Sequence, residues 1–256
     1  EINKIFIEYR FDKVIHLAAQ AGVRYSIKNP DSYIKTNING FYNLLKESKE
    51  NKIKHFLFAS SSSVYGKATK FPLLETDNTD EPQSLYAASK KSNELIAYSF
   101  SNLYKLPITG MRFFTVYGPF GRPDMAIYNF VDKMINNKKI ELFNYGNNYR
   151  DYTFVDDVVI SIKKLSSKIP NSKIPFNLVN IGNDKPIKTK KLLNVISKIL
   201  KIYPKVILTE PAKGDVVVTH ASIKKLQKLI NYKPKIEIEL GIKRFINWYK
   251  EFNKLI

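Results

Sequence analysis

Hydrophobic positions along the chain follow two rhythms that take turns. Short continuous apolar runs occur at KVIHLA (13–18), KHFLFAS (54–60) and PITGMRFF (107–114). Runs of this length, rich in β-branched and aromatic residues, predict strands buried on both faces. Between them an apolar residue recurs every three or four positions. This helical spacing runs from Asp31 through Ile34, Ile38, Phe41 and Leu45 to about residue 51, and returns over 85–104 behind Ser84. A serine there can cap the helix by accepting from a free backbone N–H. Strand, helix, strand, helix, strand with short connections predicts right-handed crossovers and a parallel, doubly wound sheet.

Beyond residue 117 the rhythm loosens. Pro119, Gly121 and Pro123 mark a loop, followed by a helix at about 125–137, a strand at 140–143 and a turn around Gly146. A helix is predicted at 155–168, a strand at 176–181, and further helices near 189–202, 222–230 and 239–254. The division expected is an α/β sheet domain over 1–117 and a smaller C-terminal lobe over 118–256, with 152–182 returning to the sheet. A dinucleotide-binding fold opens with a strand, a G-x-G-x-x-G turn and a helix, and places an acidic ribose ligand after its second strand. Here the first glycine is Gly22, already past a strand, and residues 1–10 read as the tail of a helix. The reading is a Rossmann-like sheet lacking its first βαβαβ portion.

Composition narrows the function classes. With 256 residues and 44% hydrophobic content, the chain can bury a sizeable core. It contains no cysteine and three scattered histidines, so neither disulfides nor a Cys- or His-rich metal cluster is expected. No run of 18 apolar residues predicts a membrane span, and the N-terminus lacks the pattern of a signal peptide, so a cytoplasmic location is expected. A net charge of +19 raises nucleic acid as a partner. The lysines are spread singly or in pairs with no basic block, so no nucleic-acid or membrane partner is expected; an anionic small substrate accounts better for the arginines.

Tyr86 and Lys90 lie four apart on a predicted helix and therefore share one face. An ammonium beside a phenol favours phenolate and makes the tyrosine a usable proton acceptor or donor. The serines of SSSSVYG (60–66) end a buried strand, where α/β ligands bind. The bland alternative, a serine-rich turn with an ordinary surface Tyr–Lys pair, stands about level on these features alone.

The longer motifs tip the balance. HLAAQAGVRYS (16–26), SSSSVYG (60–66), SLYAASKKSNEL (84–95), MRFFTVYGPFGRPDMA (111–126), NYGNNYRDYTFVDDV (144–158), NIGN (180–183) and KGDV (213–216) occur in order. With them the chain resembles the extended short-chain dehydrogenase/reductase superfamily, and within it the UDP-glucuronate 4-epimerases, along almost its whole length. The resemblance implies a partial NAD-binding domain over 1–117 and a nucleotide-sugar-binding lobe beyond it, with NAD as cofactor. Tyr86 would be the general base and acid at the sugar O4. Lys90 would bind the nicotinamide ribose, and Ser61 and Ser63 would hydrogen-bond O4. Leu17, Ala18, Ala19 and Asn37 would line the adenosine side of NAD, with Ser60 also at the cofactor and Phe113 and Val116 at the nicotinamide end. For the substrate, the resemblance implies Arg150 at the diphosphate, Asp215 at the uridine ribose, and Thr115, Arg122 and Arg24 near the glucuronate carboxylate.

The same resemblance bears on the reaction. Related 4,6-dehydratases carry an Asp-Glu pair, and decarboxylating relatives a Glu, where this chain has Ser62 and Ser63. Without an acid for a second step, hydride return through a 4-keto sugar implies 4-epimerisation, most simply of UDP-glucuronate to UDP-galacturonate. The competing expectation is a truncated, catalytically silent remnant that binds nucleotide sugar or a partner. A homodimer through the helices at 31–51 and 84–104 is implied for the full-length form. Among the remaining polar residues, Asp156 and Asp157 are expected to cap a helix after a strand, His16 to be a core histidine, and His55 to have no specific role. His220 stands where the family usually has tyrosine or a nearby aspartate, and Arg150 could pair with Asp151 instead of a ligand.

Overall fold

The computed structural model describes residues 1–211 and 216–255. In chain order, α1 is Ile2–Tyr9, β1 Lys13–His16, α2 Val23–Lys28, α3 Pro30–Tyr33, α4 Phe41–Glu50, β2 His55–Ser61 and α5 Leu85–Tyr104. They are followed by β3 Ile108–Phe113, β4 Thr115–Tyr117, α6 Ala126–Ile135, β5 Ile140–Phe143, β6 Tyr149–Phe154 and α7 Val155–Ser166. The remainder is β7 Phe176–Ile181, β8 Pro186–Lys188, α8 Thr189–Leu200, β9 Val206–Thr209, α9 Lys224–Ile230 and α10 Ile238–Phe252. The strands and helices expected from hydrophobic rhythm are present, but β1, expected to be buried on both faces, is half-buried to exposed because among the described strands it pairs with β2 alone. The short elements α2, β4, β8 and β9 were not predicted, because each is too brief to establish a period.

The described chain forms two compact units. The first contains residues 1–113, 161–181 and 222–232. Its sheet runs β1-β2-β3-β7, every pairing parallel, as the α/β reading requires. Phe41, Phe56, Phe58, Leu45 and Ile108 are fully buried and pack into one core. Gly110 lies in the middle of β3, where an added Cβ would come within 2.8 Å of Phe58 and closer still to Leu178.

The helix expected over 31–51 is a composite. Asn29 caps α3 by accepting from the N–H of Ser32, and a π-helical stretch, Ile34–Gly40, separates α3 from α4. A π turn inserts one residue per turn, and such turns are frequent at functional sites. Here it turns Asn37 inward, where it is buried. By contrast, α5 matches its predicted limits: Ser84 Oγ accepts from the N–H of Ala87 at 3.1 Å, and Lys105 ends the helix in the left-handed conformation.

The second unit contains 114–160, 182–221 and 233–256. It holds a three-stranded sheet β4-β6-β8 and the parallel pair β5-β9. Its core is formed by Phe130, Val131, Ile140, Phe154, Leu192, Ile196, Ile242, Phe245 and their neighbours. Asp157 is buried and accepts from the N–H groups of Lys235 and Ile236. It therefore ties the segment before α10 to α7, a longer-range task than the helix cap predicted for it. Asp156 is exposed and pairs with Arg244 at 3.3 Å.

Candidate active site

The first unit brings the carboxyl ends of its strands together. Ser60, Arg112 and Asn180 stand in one transverse row, since Ser60 is in register with Arg112 and Arg112 with Asn180. Tyr86 is half-buried near the start of α5, with the ring of Tyr33 edge-on at 6.2 Å. One turn later Lys90 is buried, and its Nζ donates to the carbonyl of Ala59 at 2.8 Å. Burial without a counter-charge lowers the Lys90 amine to about 8. The ammonium thus gives up its proton more readily than an ordinary lysine, while staying mostly charged at neutral pH.

Ser61 and Ser63 close this end of β2. Ser61 Oγ accepts from the N–H of Ser63 at 3.1 Å and caps a short 3₁₀ turn, Ser62–Tyr65. Gly66 then reverses the chain at φ 58°, and an added Cβ there would overlap the carbonyl of Glu81. The turn thus requires the glycine of the V-Y-G motif. Ser63, Tyr86 and Lys90 offer hydroxyl and ammonium groups at the strand ends, and no carboxylate occupies positions 62 or 63.

Leu17 and Ala18 are exposed and Ala19 half-buried, on the loop that leaves β1. Asn37 holds this loop. Its side-chain oxygen accepts from the N–H of Gln20 at 2.8 Å, and its amide donates to the Gln20 carbonyl and to Ser89 Oγ at 3.0 and 2.9 Å. Ser89 in turn donates to the Tyr86 carbonyl. Asn37, expected to line the cofactor, uses these groups to fix the β1 loop against α5. Ser60, also expected at the cofactor, is buried and donates its hydroxyl at 2.5 Å to Glu94.

Glu94 and Arg112 were not among the predicted site residues. Arg112 Nε and Nη2 each donate to one oxygen of Glu94 at 2.8 Å, with both side chains only 2–3% exposed. Burial opposes the Arg112 charge, but the Glu94 carboxylate overrides it and holds the guanidinium firmly protonated. Arg112 also lies over the Tyr65 ring at 4.8 Å, and Tyr65 donates to Asn180 at 2.6 Å. The usable signals were a charge inside the apolar MRFF run and an acid extending the Tyr86–Lys90 spacing by another turn.

His16 packs against Phe41 and Phe56 at 5.7 and 6.4 Å, and burial lowers it to about 4. His55, expected to be idle, is fully buried between Thr109 Oγ1 at 2.9 Å and the Ser166 carbonyl at 3.2 Å. Burial lowers its ring as well. Arg24 is exposed on α2, and Phe113 is half-buried at the end of β3.

In the second unit, Thr115, Val116 and Arg122 line a cavity of about 30 Å³ together with Gly118, Tyr128 and Phe245. Arg122 forms a two-pronged pair with Asp124, at 3.0 Å from Nε and 2.5 Å from Nη2. Arg150 donates to the carbonyls of Tyr149 and Val217. Its neighbour Asp151 is fully buried and accepts from the N–H groups of Asn183, Asp184 and Ala221. That carboxylate anchors the NIGN turn. His220 meets Asp184 at 2.7 Å. Asp215 lies outside the described residues.

The buried ammonium and nearby hydroxyls at the strand ends of the first unit suit the ribose oxygens of NAD, and exposed Leu17 and Ala18 offer apolar surface on the loop after β1. Among the described residues no helix is long and apolar enough to cross a membrane, and no His, Asp or Glu cluster suits a metal.

Comparison with known proteins agrees with this geometry. The profile of the NAD dependent epimerase/dehydratase family matches residues 1–201. The chain is 43% identical to Protein CapI of Staphylococcus aureus, over 99% of this chain and 80% of that protein. It is 44% identical to UDP-glucuronate 4-epimerase 5 of Arabidopsis thaliana, over 98% of this chain and 61% of that one. Among solved structures, UDP-glucuronic acid 4-epimerase from Bacillus cereus, in complex with UDP-glucuronic acid and NAD, superposes with a TM-score of 0.92 at 28% identity. That likeness covers 98% of this chain and 79% of the other. The chain belongs to the NAD dependent epimerase/dehydratase family, and it is an NAD-dependent enzyme of the nucleotide-sugar epimerase type with a Rossmann-like α/β fold.

Proposed function

We propose that the protein interconverts UDP-glucuronate and UDP-galacturonate by inversion at C4. The observation that carries this reading is a Tyr86–Lys90 pair beside Ser61 and Ser63, with no carboxylate at positions 62 and 63. When bound, NAD supplies hydride acceptance and return. Tyr86 takes the O4 proton and later gives it back, and its half-buried position keeps the phenol within reach of a sugar. Lys90 holds the nicotinamide ribose, and its charge favours the phenolate form of Tyr86. Ser61 and Ser63 orient O4 by hydrogen bonds. With serines rather than acids at positions 62 and 63, hydride return is favoured over elimination or decarboxylation.

On the substrate side, Arg150 grips the diphosphate and Thr115 and Arg122 receive the carboxylate, a two-pronged partner for a guanidinium. Arg122 already holds the Asp124 carboxylate in that manner. Leu17, Ala18 and Ala19 line the adenosine side of NAD, with Phe113 and Val116 at the nicotinamide end. The assembled form is a homodimer through α4 and α5, a reading supported by exposed Tyr42, Leu95, Tyr98 and Leu103 on those helices.

The test is a C4-inversion assay with NAD and three substrates: UDP-glucuronate, UDP-glucose and UDP-N-acetylglucosamine. UDP-galacturonate should form fastest. Preferred turnover of a neutral sugar would reassign the substrate, and release of a 4-keto-6-deoxy sugar or a pentose would reassign the reaction.

A further inference from the structure

Tyr86, Lys90 and Glu94 follow one another at intervals of four and form a single stripe along α5. The last two grip consecutive residues of β2. Lys90 Nζ donates to the Ala59 carbonyl at 2.8 Å, and Ser60 Oγ donates to Glu94 at 2.5 Å. Glu94 is in turn held by Arg112 from the adjacent strand, in direct register with Ser60. Arg112 is fixed on its far side by the Glu75 carbonyl at 3.2 Å and by the Tyr65 ring. Helix α5 is thus locked to two strands at the level of its reactive residues.

A buried ion pair is weak evidence of stability, because taking charges out of water is costly and well-packed apolar residues often serve at least as well. What a bidentate pair adds is direction, because its planar geometry tolerates little sliding. A displacement of about 1 Å at a reactive group can cost about a hundredfold in rate.

We propose that Glu94 is a positioning residue: with Ser60 and Arg112 it clamps α5 to β2, so that Lys90 is held dehydrated against the Ala59 carbonyl and Tyr86 is aimed at the sugar. Glu94 touches neither substrate nor cofactor and acts through Lys90. This inference rests on the epimerase reading for its kinetic consequences and on the described contacts alone for its effect on Lys90.

The experiment compares Ser60→Ala and Glu94→Gln with the unsubstituted NAD-loaded enzyme. Both should lower kcat about ten- to hundredfold, while KM for the UDP-sugar stays within about twofold. Ser60→Thr, which keeps the hydroxyl, should restore most of the rate. Independently of turnover, the ¹⁵Nζ resonance of Lys90, identified by its loss in Lys90→Arg, should titrate near 8 in the unsubstituted protein. In Ser60→Ala, which alters no charge, the amine gains water and its midpoint should rise towards the ordinary lysine value. A lower melting temperature with unchanged kcat and an unchanged Lys90 midpoint would make the clamp merely structural and overturn the proposal. If the unsubstituted enzyme inverts no UDP-sugar, the epimerase reading fails, and the Lys90 titration still decides the clamp. Should Glu94→Gln not fold, the neutral Ser60→Ala variant carries the test.

Discussion

Helices α5 and α10, one in each unit, bury different mixtures of side chains. Helix α10 turns Ile242, Phe245, Ile246 and Tyr249 inward, as an amphipathic helix should. Helix α5 buries Ser89, Lys90, Asn93, Glu94 and Ser101 while leaving Leu95 and Leu103 59% and 65% exposed. For α10 the transfer of apolar side chains from water is sufficient cause for its orientation. For α5 it is only part of the cause. Ala97, Ile96 and Phe100 pack into the core of the first unit, and the polar part of the inward face is held by hydrogen bonds to β2 and to Asn37, which in turn holds the β1 loop. Leu95 and Leu103 face outward.

The comparison is broken most directly at Tyr86. Tyr86→Phe deletes the proton relay without altering the shape of α5, so turnover should fall about 10²- to 10⁴-fold, with UDP-sugar binding by calorimetry retained. Near-normal turnover would remove Tyr86 from the mechanism and return α5 to an ordinary scaffold.

Stability should respond in the reverse sense. Phe245 is 1% exposed in the α10 core, and Phe245→Ala should cost about 3–5 kcal/mol in a denaturant titration. Leu95→Ala on α5 should change monomer stability by no more than about 0.5 kcal/mol. A large loss at Leu95 would mean that the exposed face of α5 is covered in the protein as it folds.

The first unit also carries an acid-sensitive group that α10 lacks. His16 titrates at about 4 in the fold because burial disfavours its charge, against 6.5 when solvated. Its contribution is therefore fully present above 6.5 and is lost as pH falls towards 4. Protonation of the unfolded chain should remove roughly 2–3 kcal/mol of stability across that window. Denaturation midpoints between pH 7 and 4 should fall more steeply in the unsubstituted protein than in His16→Asn; parallel curves would exclude His16 as the cause.

The smallest structural effect is expected at Arg122, which with Asp124 forms an exposed pair. Arg122→Ala should alter stability by less than about 0.5 kcal/mol. Affinity for UDP-glucuronate should nevertheless weaken by about 1.5–3 kcal/mol, and UDP-glucose binding much less. Equal effects on the two sugars would show that Arg122 does not read the carboxylate.

By itself the sequence determined the alternation of strands and long helices, the parallel sheet of the first unit, the Ser84 cap and the Tyr86–Lys90 spacing. These follow from local periodicity and from residue chemistry, which act over a few positions. It also carried the family, through motifs too long to arise by chance. Only the tertiary structure decided which partners the polar residues take. Asn37, in a π turn, meets Gln20, and Ser60, placed by strand register, meets Glu94. His55 and Thr109 are 54 residues apart and meet only because β2 pairs with β3. Whether a charge is buried, and against what, depends on contacts between distant segments, and no local pattern encodes them. Arg112 and Glu94 are the clearest case: each is an unremarkable charge in its own stretch of chain, and register and helix docking make them partners.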